Sequence, residues 1–275
     1  MKKLLLAVLL PLQIFAQTNY TQFVDPFIGT GGHGHTFPGP VVPFGMIQPS
    51  PDTRLSGWDG CSGYHYSDNR IYGFSHTHLS GTGASDYGDV LIMPTVGKPV
   101  FNNKKYSSTF KKESEKATAG YYSVYLDKPQ VRAELTATNR TGLHKYTFTN
   151  TSSANIILDL THRDRVKQGE INIVGNDEIS GVRISDNWAN NQMLYFVIQF
   201  SKPFKKYGIS KANVLTENAR HDTGTLLKSY VQFDVHVGEV LYARVGISAV
   251  SIEGARKNLQ AEQPGFNFDK VKNDA

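Results

Sequence analysis

Five of the nine histidines and 13 of the 25 glycines fall between Gly29 and Pro94, in three clusters whose spacing could do chemistry. The first is Gly29-Thr30-Gly31-Gly32-His33-Gly34-His35. Glycines this dense let backbone amides approach a ligand, because no Cβ blocks access and positive φ costs little. His33 and His35 can ligate a metal, bond a polar ligand or order a tight turn. A phosphate cradle is disfavoured, since the segment lacks the Gly-Lys-Ser/Thr ending and the strand-to-helix frame of such loops.

The second cluster is Arg54-Leu55-Ser56-Gly57-Trp58-Asp59-Gly60-Cys61. Trp58, one of two tryptophans, lies in a stretch too polar for ordinary core. It suits stacking on the apolar face of a sugar ring, with Asp59 and Arg54 near enough to bond hydroxyls; the alternative is a plug at the end of a sandwich. Cys61 would need a base and a depressed pKa to act as a nucleophile, and a small buried apolar residue is the commoner role. The third cluster, Gly73-Phe74-Ser75-His76-Thr77-His78, is followed by Asp86 and Asp89. In an extended segment His76 and His78 point to the same side, as two metal ligands or two donors to a ligand. Neither His35 nor His78 is followed by the Glu that a cupin-type metal site wants, so sugar contact is favoured over zinc. Asp86 and Asp89 offer the oxygen ligands that calcium prefers.

Charge narrows the function classes. The net charge is +5, yet residues 29–94 hold five Asp, two Arg and no Lys or Glu. Nucleic-acid binders gather Lys and Arg on the working surface; here the segment richest in unusual residues is acidic, which disfavours nucleic acid. Residues 1–16, with Lys2, Lys3 and a largely apolar 12-residue stretch from Leu4 to Phe15, read as a secretory signal peptide. Nothing later approaches the ~20 apolar residues of a membrane-spanning helix, so a secreted or periplasmic protein is expected, and its single cysteine can form no internal disulfide.

The elements that must position these clusters follow from period-two alternation. Val131, Ala133, Leu135 and Ala137 alternate with polar neighbours, and His144, Tyr146 and Phe148 continue the pattern, as half-buried strands do. Gly175-Asn176-Asp177 separates two apolar runs as a hairpin turn would. Val231 to Val237 and Leu241 to Ile247 alternate on either side of Gly238 and read as a second hairpin. Many strands with short connections predict an all-β, antiparallel β-sandwich over residues 17–250. Ser251 is placed to cap a short C-terminal helix, with Ala255 and Leu259 on one face, and residues 251–275 read as helix and linker.

Taken together, Gly29-Thr30-Gly31-Gly32 through His35-Thr36-Phe37-Pro38-Gly39, Pro43-Phe44-Gly45-Met46, Ser50-Pro51-Asp52-Thr53, Cys61-Ser62-Gly63-Tyr64 and Gly73-Phe74-Ser75-His76-Thr77-His78-Leu79-Ser80-Gly81-Thr82-Gly83 resemble the N-terminal domain of the family 92 glycoside hydrolases. One departure is Ala84, where many members carry a Cys. The resemblance implies a supersandwich of galactose-mutarotase type, packed in the whole enzyme against an (α/α)6 helical domain. It also implies a secreted or periplasmic, inverting, calcium-dependent exo-α-mannosidase acting on mannose-containing glycans, with α-1,2 linkages the expected target. The family's two catalytic carboxylates lie in the helical domain, and the segment from Phe266 to Val271 looks like the lead into it. The chain is therefore expected to be inactive alone, with no catalytic residue of its own, no assigned metal ligands and no tight calcium site. It should contribute His35, Trp58, Asp59, Cys61, His76 and His78 to a sugar pocket. The alternatives are a stand-alone carbohydrate-binding module and a mutarotase-type aldose epimerase. A sandwich made to dock a helical domain should also leave an apolar face uncovered.

Overall fold

The alternating segments form strands because one stripe of each can leave water. Val131, Ala133 and Leu135 have no exposed surface, while Arg132 between them is exposed. In a computed structural model, which describes residues 19–150 and 152–275, these strands build two large antiparallel sheets, and Arg70–Ile71 pairs with Ser108–Thr109 in a small third one. The signal peptide read at residues 1–16 lies outside the described residues.

The nine-stranded sheet runs, edge to edge, His221–Gly224, Arg165–Val174, Glu178–Asp186, Gln192–Phe200, Val240–Ser248, Thr141–Phe148, Val131–Ala137, Tyr121–Leu126 and Lys116–Thr118. The seven-stranded sheet runs Ser50–Asp52, Gly73–Ser75, Leu91–Val96, Ser152–Asp159, Leu227–Val235, Lys206–Lys211 and Val214–Glu217. The inner stripes of the two sheets close one apolar core, in which Leu135, Phe196 and Ile198 from the first join Ile156, Val231 and Phe233 from the second. This is the β-sandwich that the alternation predicts.

One connection differs from its sequence reading. The hairpin at Gly175 forms, with Val174 opposite Glu178. The supposed hairpin at Gly238 does not: Leu227–Val235 pairs with Ser152–Asp159 in the seven-stranded sheet, whereas Val240–Ser248 pairs with Thr141–Phe148 in the other. The chain turns an inter-sheet corner, closed by Gly238 N–H donating to Phe148 O at 2.8 Å and Phe148 N–H donating to Glu239 O at 3.0 Å. Alternation says only that each strand has one buried stripe. Phe233 and Leu241 are both buried whether their strands lie side by side or across the core.

The helix Ile252–Glu262 starts where expected, with Ser251 Oγ accepting from Gly254 N–H at 3.0 Å. Its buried Ala255 and Leu259 pack on Val197 of the nine-stranded sheet. The segment read as a linker carries a second helix, Phe268–Asp274, whose Phe268 and Val271 pack against Tyr121 and Leu143. Among the described residues no helix is long and apolar enough to cross a membrane. The first described segments leave large apolar side chains uncovered, including Phe23, Ile28 and Phe44.

Leu259 is 1% exposed, so Leu259→Ala should cost about 2–5 kcal/mol of folding stability. Chemical denaturation followed by circular dichroism checks this; a cost below about 0.5 kcal/mol, typical of surface changes, would mean the helix is not docked as described.

Candidate functional site

The second cluster folds into a single 3-10 turn, Trp58–Gly60, closed by Cys61 N–H donating to Trp58 O at 3.1 Å. The turn holds Trp58 at the mouth of a cleft of about 680 Å³ whose other walls include Gly83, Ser85, Asp164 and Arg165. Trp58 is 58% exposed, but its ring is not loose. His35 stands edge-on to it with centroids 4.4 Å apart, and His33 lies at 5.1 Å. Gly83 approaches the indole so closely that a Cβ there would lie 2.7 Å from Nε1 and would have to push the ring aside.

Asp59 ties the first cluster to the second. Its Oδ1 lies 2.6 Å from His33 Nδ1 and 3.5 Å from His35 Nε2, and the hydrogen bond with His33 holds the carboxyl below the usual range. His35, Trp58 and Asp59 therefore meet in one place. Cys61 is 2% exposed and its Sγ–H donates to Thr82 O at 2.9 Å; burial pushes the thiol up, the wrong direction for a nucleophile. Arg54 is turned away from the cleft, its Nε donating to Asp68 at 3.0 Å and its Nη2 lying 3.2 Å from His65 Nδ1.

His76 and His78 do not share a side. The strand Gly73–Ser75 ends before them and His76 sits in a bend. His76 enters the protein interior with no exposed surface. Its Nδ1–H donates to Val90 O at 2.6 Å, so its Nε2 accepts from His144 Nε2–H at 2.8 Å, and His144 Nδ1 accepts from Tyr146 Oη at 2.9 Å. The chain is satisfied with both rings neutral. Burial pushes His76 down to about 4 and His144 well below its ordinary value.

His78 instead joins a buried charge cluster around Asp52. Its Nδ1–H donates to Gln48 O at 2.8 Å, and its Nε2 lies 3.4 Å from Asp52 Oδ1. His162 Nε2 is 3.3 Å and Arg163 Nη1 4.0 Å from the same oxygen, while Ser75 bonds the other one. Burial alone would raise the Asp52 carboxyl; His162 and His78 outweigh it and hold it well below the usual range. One edge of His78 also lines a second groove, of about 710 Å³, beside Val24, Val41 and Phe44.

Asp52, His162, Arg163 and Arg183 are the residues that sequence reasoning missed. The available signal was the run His162-Arg163-Asp164-Arg165, dense in charge shortly after the strand residues Ile156-Ile157-Leu158. Arg183 has no exposed side-chain surface, pairs with Asp89 and donates to the carbonyls of Leu160, His162 and Arg163.

The calcium candidates are committed elsewhere. Asp89 accepts from Arg183, from Thr77 Oγ1 at 2.7 Å and from Gln192 Nε2 at 2.6 Å. Asp86 accepts from Ala189 N–H at 2.7 Å and Tyr87 N–H at 3.1 Å. Near Asp86 lies Asp164, whose carboxyl is raised to about 6, chiefly by burial and further by the neighbouring Asp86. Asp86 and Asp89 thus each accept from protein donors, and one oxygen of Asp164 is buried without a hydrogen-bond partner.

The family model of the glycosyl hydrolase family 92 N-terminal domain matches residues 23–248, and the chain belongs to that family. Among solved structures, a family 92 α-mannosidase of Bacteroides thetaiotaomicron in complex with mannoimidazole is 31% identical, with a TM-score of 0.87 over 92% of this chain and 35% of that one. A family 92 inverting mannosidase from strain VPI-5482 of the same species is 27% identical, with a TM-score of 0.82 over 92% of this chain and 35% of that one. An uncharacterized secreted glycosidase of Arthroderma benhamiae is 27% identical over 284 residues, 92% of this chain and 36% of the relative. The chain thus spans about a third of the length of these relatives.

Because the Asp52 carboxyl is depressed in the folded protein, its contribution to stability is complete above its unfolded pKa of about 3.9 and is lost as pH falls through the folded value. Asp52 faces His78 and His162 and raises His76, so these histidines also contribute to the difference between wild type and Asp52→Asn. The stability gap between those two proteins, measured by denaturation from pH 7 downward, should shrink below about pH 4, where the carboxyl that these neighbours hold ionised takes up its proton. A gap independent of pH would show that Asp52 is not held ionised by its neighbours.

Proposed function

We propose that this chain is the sugar-contacting domain of a calcium-dependent, inverting exo-α-mannosidase that removes terminal mannose, α-1,2-linked in the first instance, from glycans outside the cytoplasm. The observation that carries the reading is Trp58, a tryptophan 58% exposed yet clamped by His33, His35 and Gly83. An aromatic face held rigid at the mouth of a polar cleft offers a sugar ring its apolar side at little entropic cost. Asp59 and Arg165 stand beside it to bond hydroxyls. Two relatives described as mannosidases, at 31% and 27% identity, support mannose as the sugar.

Catalysis and calcium belong, in this reading, to a helical domain outside these residues. An inverting glycosidase sets its acid and base about 6.5–9.5 Å apart, with a water between. Uncovered Val24, Val41 and Phe44 around the second groove suit the docking of such a domain.

Calorimetry with methyl α-mannoside tests the reading. Trp58→Ala should weaken binding about tenfold or more, the equivalent of ~1.4 kcal/mol, while the unfolding free energy moves by less than about 1 kcal/mol. A loss of ~3–5 kcal/mol, the cost of truncating a core tryptophan, would make Trp58 a structural plug instead. The purified chain should release no mannose from α-linked mannosides with or without calcium. Release abolished by changing one of its own carboxylates would put the catalytic pair within these residues.

A further inference from the structure

Arg163 occupies the corner between the strands Ser152–Asp159 and Arg165–Val174, at a φ of +51° that non-glycine residues rarely adopt. Its side chain is 2% exposed. From there a single nitrogen, Nη2, reaches three acceptors: Gly60 O at 2.7 Å, Cys61 O at 3.0 Å and Ser85 Oγ at 2.8 Å. Gly60 and Cys61 close the turn that carries Trp58. Ser85 follows Gly83, the residue that abuts the indole on the opposite wall of the cleft. The stem of Arg163 crosses Gly88, where a Cβ would lie 2.5 Å from its Cδ. Its charge is balanced from behind by Asp52, 4.0 Å from Nη1. The guanidinium therefore spans both walls of the Trp58 cleft from below without reaching the surface.

We propose that Arg163 is the positioning residue of this cleft, setting the separation of its two walls and with it the orientation of the Trp58 ring. Its effect on sugar affinity rests on the mannoside-binding reading given above; its effect on Trp58 does not. A lysine keeps the charge beside Asp52, but its stem is one bond shorter and flexible, so its ammonium falls short of the acceptors on both walls that Nη2 reaches.

The test uses the full chain in a Trp188→Phe background, so that the near-ultraviolet circular dichroism of the indole reports Trp58 alone. Arg163→Lys should lose most of that band and bind methyl α-mannoside about tenfold more weakly. Leu259→Ala, destabilised through the helix packed on Val197, should keep both the band and the affinity, which separates positioning from general loss of stability. Ser85→Ala breaks only the link to the second wall and should shift band and affinity in the same direction by less; it decides the matter if Arg163→Lys does not fold. A Trp58 band unchanged from the parent in either variant overturns the proposal, whatever the affinity does. A band that collapses in Arg163→Lys while the parent binds no mannoside leaves the positioning role standing and removes the sugar reading.

Discussion

The Arg183–Asp89 pair is the constraint from which the site is built. Both side chains are wholly buried, and a charge in that setting is tolerable only if it is paired and its remaining hydrogen-bonding capacity is filled. Asp89 supplies the pairing. The carbonyls of Leu160, His162 and Arg163 fill the rest of the guanidinium, and in doing so they dictate the path of the chain through the corner. Arg163 and Asp164 both take positive φ there, at +51° and +44°, a conformation that costs a non-glycine residue roughly 1–2 kcal/mol. The carbonyls gripped by Arg183 hold them in it. Asp89 also accepts from Thr77 and Gln192, so one pair joins the third histidine cluster, the corner and the strand Gln192–Phe200.

That arrangement explains which parts were legible in the sequence. Sheet residues such as Val131, Ala133 and Leu135 announce themselves because burial imposes a period of two on side chains that touch the core. The capped helix at Ser251 was equally readable, since its signal is local. Pairing across the sandwich is not local. Val231 to Val235 and Leu241 to Ile247 carry the same alternation whether they face each other or lie side by side, and only the register with Ser152–Asp159 and Thr141–Phe148 separates the two.

The site was half legible for a related reason. Trp58, Asp59 and His35 could be picked out because their types are unusual for the stretch they occupy, and they converge through contacts between short loops. His76 and His78 were paired by spacing alone, and the bend after Ser75 sent the first into the interior and the second to Asp52. Asp52 stood in a quoted motif without a role, because its partners His162 and Arg163 come from more than 100 residues away along the chain. No period or propensity encodes a contact of that range.

The buried and exposed polar groups divide the work of the domain between them. Around His76, each ring nitrogen has a partner and burial keeps the chain to Tyr146 uncharged, so it acts as rigid packing with directional bonds. Around Asp52, opposite charges are spent on each other under the loops that carry Trp58. What reaches the surface of the cleft is the indole face together with Arg165, 73% exposed and paired with Asp186, while Asp59, at 31% side-chain exposure, is held by His33. The buried charges are thus consumed in fixing geometry, and the aromatic face at the mouth of the cleft takes its fixed orientation from the rigidity of what lies beneath it.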